Sequence, residues 1–407
     1  MNTSTAAWYG GLAATALTLG IAHLLALAAA RRWTPPTAHA RSRRLGCIDG
    51  LRGYLALLVF AHHYDMTYAW RRGAGWEHSS TVYFKNAGEV GVAVFFLITG
   101  FLFTHRLLTQ GPSLDWRRLY ISRLFRIYPL YLFAFLLIAA GTLWVTGPHL
   151  QVVPSRLGYE VTRWLLFKGN TLNGYTDAQL VIGGVAWSLW YEWLFYLSLP
   201  LVALLLIRSR ALTLLALVAA LAVSLHPFKI GSLLDSRLPI LFVYGGLVAW
   251  LAVHGRISRR FIGHPLVSVL VLCGAAVSLL AFRSIYGLTQ MTLLALCFVP
   301  IALGNSLFGL LETRASLYLG EISYSIYLVH GAVLFIVFTM LAPHFAGQVS
   351  QPLYLLFMPA LAPAVVLFSS LTFFAVERPG MAWGKAAAAA AGGRWIWKRP
   401  AVVKSHS

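Results

Sequence analysis

The sequence predicts an all-α, polytopic membrane helix bundle of about eleven helices, and three observations predict it. Hydrophobic residues make up 59% of the 407 and charged residues only 11%, against about 25% charged in a soluble domain. Apolar runs of membrane-spanning length recur along the whole chain. Lys and Arg gather in alternate loops between those runs. Mean hydropathy is +0.72, which excludes a disordered chain. The net charge of +20 would point to nucleic acid in a soluble protein. Sorted into short loops it points to membrane topology, with membrane lipid as a partner and no nucleic acid.

The first run, 6–30, has no basic region ahead of its apolar stretch and carries Arg31 and Arg32 behind it. That charge order reads as a retained anchor with its N-terminus outside rather than a signal peptide. Further runs follow at 51–70, 88–108, 127–146, 183–206, 211–225, 237–254, 264–282, 289–311, 320–341 and 353–375. Each approaches the roughly 20 residues that cross the hydrocarbon, 211–225 being the shortest. Of the 32 Lys and Arg, 23 fall in one set of loops (31–52, 106–126, 208–210, 256–260, Arg314 and the tail from Arg378) and 9 in the opposite set. The positive-inside rule places the first set, and the C-terminal tail, in the cytoplasm. The organisation expected is an N-terminal helix and basic linker at 1–46, a membrane domain at 47–380 and a basic cytoplasmic tail at 381–407. The longest outside loops are 71–87 and 147–182. A long loop is often functional, though a plain connector fits as well. Cys47, Cys273 and Cys297 are too few and too scattered for a disulfide framework or a zinc pattern.

Ionisable residues within membrane runs are functional hypotheses by default. Arg52 and His63 are eleven residues apart, which on a helix returns both to nearly one face with a rise of about 16 Å. With Arg52 at the inner boundary, His63 reaches the midplane, while His62 points about 100° away. Glu192 on the fifth run and His330 on the tenth are expected at a similar depth. A carboxylate and two imidazoles there suit general acid–base work; a buried polar cluster that pins helices is the alternative. Arg123 and Arg126 share a helix face at i, i+3 and with Arg52 form an anion site at the inner boundary, although the positive-inside rule alone also explains basic residues there. Tyr327 and Ser323 are placed to hydrogen-bond within the bundle, Gly100 to let helices approach closely, and Asp49 to cap the second helix.

Six blocks carry a resemblance. Ile48-Asp49-Gly50-Leu51-Arg52-Gly53 is followed by His63, then come the segments Gly91–Leu102, Ser122–Pro129, Trp187–Tyr196, Leu319–His330 and Val376–Pro379. In this order they resemble the acyltransferase family 3 integral membrane proteins, O-acyltransferases that decorate bacterial glycans. Ala93 stands where the family often has an acidic residue, and Thr99 where it usually has Ser. The resemblance implies a ten-helix acyltransferase core, to which the first helix is an addition, in a bacterial inner (cytoplasmic) membrane. It implies transfer of an acyl group, most often acetyl, from cytoplasmic acetyl-CoA or another acyl-CoA to a hydroxyl of a glycan or similar acceptor. Carried over, Arg52 and His63 are the catalytic pair, and Arg123 and Arg126 are functional basic residues. On that reading the CoA phosphates bind near Arg52, Arg123 and Arg126. Glu192 joins the catalytic set, Glu192 or His330 orients His63 or binds the acceptor, and Tyr327 faces the acceptor with His330. No metal is implied. A competing reading is a transporter or exporter of a lipid-linked or small anionic solute, since midplane charges suit that as well. The absence of a clear inverted repeat weighs against it. A sensor or scaffold ranks last, because short inner loops leave little surface for partners.

Overall fold

The computed structural model describes residues 3–31, 43–76, 81–208, 218–220, 222–223, 225–231 and 234–390. The helices used below are α1 (Thr3–Ala30), α2 (Arg43–Arg71), α3 (Val82–Gln110), α4 (Trp116–Thr146), α5 (Pro154–Leu165), α6 (Trp187–Arg208), α7 (Arg237–His254), α8 (Pro265–Leu280), α9 (Leu288–Ala302), α10 (Arg314–Glu321), α11 (Ser323–Phe335), α12 (Met358–Thr372) and α13 (Arg378–Ala390). Among the described residues the only paired strands are the two-residue β1 (Lys229–Ile230) and β2 (Leu234–Asp235), so the all-α expectation holds. Seven described stretches are long and apolar enough to cross a membrane, in α1, α3, α4, α6, α7, from α11 to Leu341, and from α12 through α13. The shorter α8 and α9 are also apolar. The expected run at 211–225 lies largely outside the described residues.

Several boundaries depart from expectation, and three of them bear on the packing around α2, α9 and α11. α2 begins at Arg43, so Asp49 lies inside the helix instead of capping it; its carboxylate lies 3.9 Å from the Arg52 guanidinium. α9 stops at Ala302, where Pro300 is followed by a turn with Leu307 and Phe308 at positive φ. The run 320–341 breaks at Ile322 into α10 and α11, with Ser323 Oγ donating to Gly320 O at 2.7 Å.

Two glycine seams bring the helices together. A Cβ on Gly320 would lie 1.8 Å from Asp49 O, and one on Gly53 2.4 Å from Leu319 Cβ, so the backbones of α2 and α10 touch. Between α3 and α7 the same holds for Gly100, 2.2 Å from Phe242 O, and Gly245, 2.1 Å from Leu97 O. Small residues at such crossings let dispersion contacts between backbones replace side-chain packing, the main source of attraction where lipid is as apolar as leucine. Gly320→Val should therefore cost at least the roughly 1–3 kcal/mol of an overpacked core, read as a lower thermal midpoint in detergent; an unchanged midpoint would contradict the seam.

Candidate active site

His63 is a half-buried residue of α2 whose ring nitrogen Nδ1 lies 2.9 Å from Nε2 of His330 on α11. His330 is fully buried, and its other nitrogen, Nδ1, is 2.9 Å from the carbonyl of Ile326 one turn back. A carbonyl oxygen only accepts, so His330 Nδ1 carries the proton and its Nε2, in the neutral ring, accepts. His63 Nδ1 must then donate, which makes His63 Nε2 the basic lone-pair nitrogen. The backbone of α11 thus selects one tautomer of His63 through a single intermediary. His62, one residue away, is turned to a different partner, with Nδ1 2.9 Å from Phe84 O.

A loop closes over this pair. It holds the amphipathic α5, started by Pro154 at its first turn, and then a 3₁₀ turn at Ala178–Ile182 whose Ala178, Leu180, Val181 and Ile182 are buried. Gly331, next to His330, lets that turn dock, since a Cβ there would lie 2.0 Å from Ile182 C. Gly183 has φ +71°, a conformation that suits glycine, and a Cβ on it would sit 3.5 Å from His330 Nε2 and 3.6 Å from His63 Cγ. Trp76 stacks on the His63 ring with centroids 5.8 Å apart and an interplanar angle of 19°. In the same loop the Lys168 ammonium lies 4.7 Å over the Trp190 ring. Burial first, and Arg163 second, hold its pKa below the ordinary lysine value.

The other candidate residues gather around a separate cavity of about 140 Å³. Arg52, Arg123 and Arg126 line it together with Glu192, Tyr196 and Tyr327. Glu192 accepts a short hydrogen bond from Tyr196 OH, and the Arg123 guanidinium lies 5.4 Å over the Phe103 ring. Arg126 is fixed by Glu377, 2.5 Å from its Nη1. Glu377 sits on a π-helical turn, Phe373–Glu377, with its side chain fully buried, and accepts from Ser325 Oγ at 2.7 Å. Tyr327 joins the two regions: it lines the cavity, its hydroxyl lies 2.7 Å from Ser188 Oγ, and its ring packs edge-on to His330 with centroids 6.5 Å apart.

The structure therefore pairs His63 with His330 and groups Arg52, Arg123, Arg126 and Tyr327 at one cavity. It does not place Glu192 beside the imidazoles; Glu192 lines the arginine cavity, which neither histidine lines. Glu377, Ser325, Ser188 and Tyr196 belong to the site without having been singled out for roles. Glu377 lies in the terminal motif, but its partner Arg126 is on a helix some 250 positions earlier, and no local spacing reveals that. Ala93 is fully buried among apolar side chains, so its place carries no charge. Among the described residues no group of three or more His, Cys, Asp or Glu is arranged to hold a metal.

A family model for an acyltransferase domain matches residues 45–374. Nodulation protein 10 of Rhizobium leguminosarum bv. viciae is 31% identical over 185 residues, covering 42% of this chain and 48% of that protein. Acyltransferase MdmB of Streptomyces mycarofaciens is 28% identical over 326 residues, covering 72% of this chain and 79% of that protein. The peptidoglycan O-acetyltransferase OatA of Listeria monocytogenes is 27% identical over 164 residues, covering 38% of this chain and 23% of that protein. The chain thus spans about half the length of the first of these relatives and about a quarter of the last. No solved structure matches the chain.

Proposed function

The chain belongs to acyltransferase family 3, and from that premise we propose that this integral membrane protein transfers an acyl group, in the first instance acetyl, from cytoplasmic acyl-CoA to a hydroxyl of a cell-surface or lipid-linked glycan. The acyl-CoA is a substrate consumed in each turnover. The observation that carries the reading is the chain from Ile326 O through His330 to His63, which leaves a lone pair on His63 Nε2. A neutral imidazole so oriented takes a proton from an acceptor hydroxyl as the hydroxyl oxygen attacks the thioester carbonyl. The imidazolium then returns that proton to the departing CoA sulfur. The carbon–sulfur bond breaks, a carbon–oxygen ester bond forms, and the free thiol leaves.

Arg52, Arg123 and Arg126 suit the phosphates of the donor, because guanidinium groups bind phosphate oxygens with paired, charge-assisted hydrogen bonds. Glu377 neutralises part of that charge, so an incoming anion meets an ordered cluster rather than three mutually repelling cations. The eleven-residue spacing of Arg52 and His63 sets the two ends about 16 Å apart along α2, a distance for the pantetheine arm to cover. An acyl-histidine intermediate at His63 is a second route to the same product. Orientation follows the charge sorting, with the arginine end and the C-terminal tail at the cytoplasmic face of a bacterial inner membrane.

The test is thiol release by purified protein with acetyl-CoA, with and without host glycan extract. Release that the extract stimulates, with acetyl appearing on glycan hydroxyls by mass spectrometry, is the expected result. A folded parent that releases no thiol with acetyl-CoA or longer acyl-CoAs, even with extract, would return the exporter reading. His330 acts on the reaction through His63 and is a positioning residue. His330→Ala should lower kcat by roughly 10- to 10³-fold, less than loss of the base itself, because the His63 tautomer is no longer selected. The donor KM should stay nearly constant, since the arginine cavity is untouched; an effect on KM alone would refute this role.

A further inference from the structure

A second large space lies against a different face of α2 from the one that carries Arg52 into the arginine cavity. It is a cleft of about 670 Å³ walled by α1, α2, α3, α8 and α9. α1 lies outside the matched family domain at 45–374, so the cleft is formed where the added helix leans on that domain. Its lining is apolar, including Leu55, Val94, Leu294 and Phe298, and its polar members His23 and Tyr54 are turned on each other. His23 Nδ1 lies 2.8 Å from Tyr54 OH, and Tyr54 OH lies 2.8 Å from Ser316 Oγ.

We propose that this cleft is a binding site for one hydrocarbon chain of a bilayer lipid. Three points argue for that occupant. Water is disfavoured, since a buried water needs two to four polar partners and this lining offers almost none. An unfilled apolar space is destabilising in proportion to its volume, and the surroundings of these helices supply hydrocarbon. The length also fits. Leu51 and Leu58 on α2, and Val271 and Leu279 on α8, bracket the lining on their helices, which sets its extent along the helix axes at about 10–12 Å. One leaflet of hydrocarbon is about 15 Å deep, whereas a helix from a second protein would run the full 30 Å or so. Leu55, Val94, Leu294 and Phe298 line the cleft yet are at most 7% exposed, so a chain that reaches them has entered rather than brushed the surface.

The experiment uses the full chain in nanodiscs of phosphatidylethanolamine carrying a diazirine partway along one acyl chain. After photolysis, adducts are mapped by peptide mass spectrometry. The expected result is labelling of Leu55, Val94 or Leu294 as well as of exposed lipid-facing positions such as Leu201 and Leu296. Ala275→Trp and, separately, Leu58→Trp fill the cleft and should abolish the buried adducts while leaving the exposed ones. A variant that misfolds would show itself by altered labelling at Leu201 and Leu296, and the other variant then decides. Adducts confined to exposed positions in the parent would overturn the proposal. So would a cross-linked second protein chain at these residues, which would assign the cleft to a partner helix.

Discussion

His63→Ala should lower acyl transfer by about 10²–10⁴-fold, the usual contribution of a positioned general base, while thermal unfolding in detergent changes little. His63 is only half buried, with its ring bonded to His330 and stacked on Trp76, so truncation removes chemistry more than packing. His63→Gln sharpens the test. Its amide can still donate toward His330 Nε2, but it has no nitrogen lone pair to take a proton. Both variants should therefore be equally slow, and the pH profile of the parent should lose its rising limb in each. A His63→Gln protein that retained most of its turnover would show that proton transfer occurs elsewhere. If His63 instead carries the acyl group, brief exposure to labelled acyl-CoA without acceptor should leave label on the parent and none on either variant.

Glu377→Ala carries the second large effect, and it is a stability effect first. In the Arg126–Glu377 pair the carboxylate is fully buried and the guanidinium partly so, with side-chain exposures of 0% and 17%. Removing Glu377 leaves a partly buried guanidinium without its carboxylate, for which about 3–5 kcal/mol is the upper range, typical of fully buried pairs. The thermal midpoint should fall sharply, and what protein survives should bind acyl-CoA weakly, because Arg126 is no longer held at the cavity wall. The double variant Arg126→Met with Glu377→Leu separates the two roles. Removing both charges restores most of the stability, whereas donor KM remains high because the anion site has lost a guanidinium. A Glu377→Ala protein with parental stability and parental KM would show the pair to be dispensable.

These residues also show how far the sequence could be read. The spacing of Arg52 and His63 was legible because a helix is a rigid ruler, and α2 runs unbroken through both. The same regularity put Arg123 and Arg126 on one face of α4. Glu192 was misplaced because the ruler was started too early. Residues 183–186 are turns, not helix, and α6 begins at Trp187 after a segment already buried against α11. Glu192 therefore lines the arginine cavity, which neither histidine lines. The break at Ile322 falls in the polar stretch Gly320-Glu321-Ile322-Ser323, a polarity that the single-helix reading passes over, and α5 hid in a loop although Leu157, Val161 and Trp164 have helical spacing. The bond from His63 to His330 joins positions 267 residues apart, and only the packing of α2 on α11 brings them together. The fold class follows from composition, which is a sum over the chain; pairings follow from contacts, which are not.

The separation of the arginine cavity from the histidine pair has an electrical consequence. In the proposed reaction the phosphates stay at one end, and only a neutral acyl group reaches the other. A neutral cargo does no work against a membrane voltage, whereas each elementary charge carried across costs about 2.3 kcal/mol per 100 mV. In vesicles whose voltage is clamped by a potassium gradient and an ionophore, acyl transfer should run at the same rate at either polarity. Export of an anion would instead speed up in one direction and stall in the other, so the voltage dependence alone separates an enzyme that passes a group inward to outward from a carrier that passes a molecule.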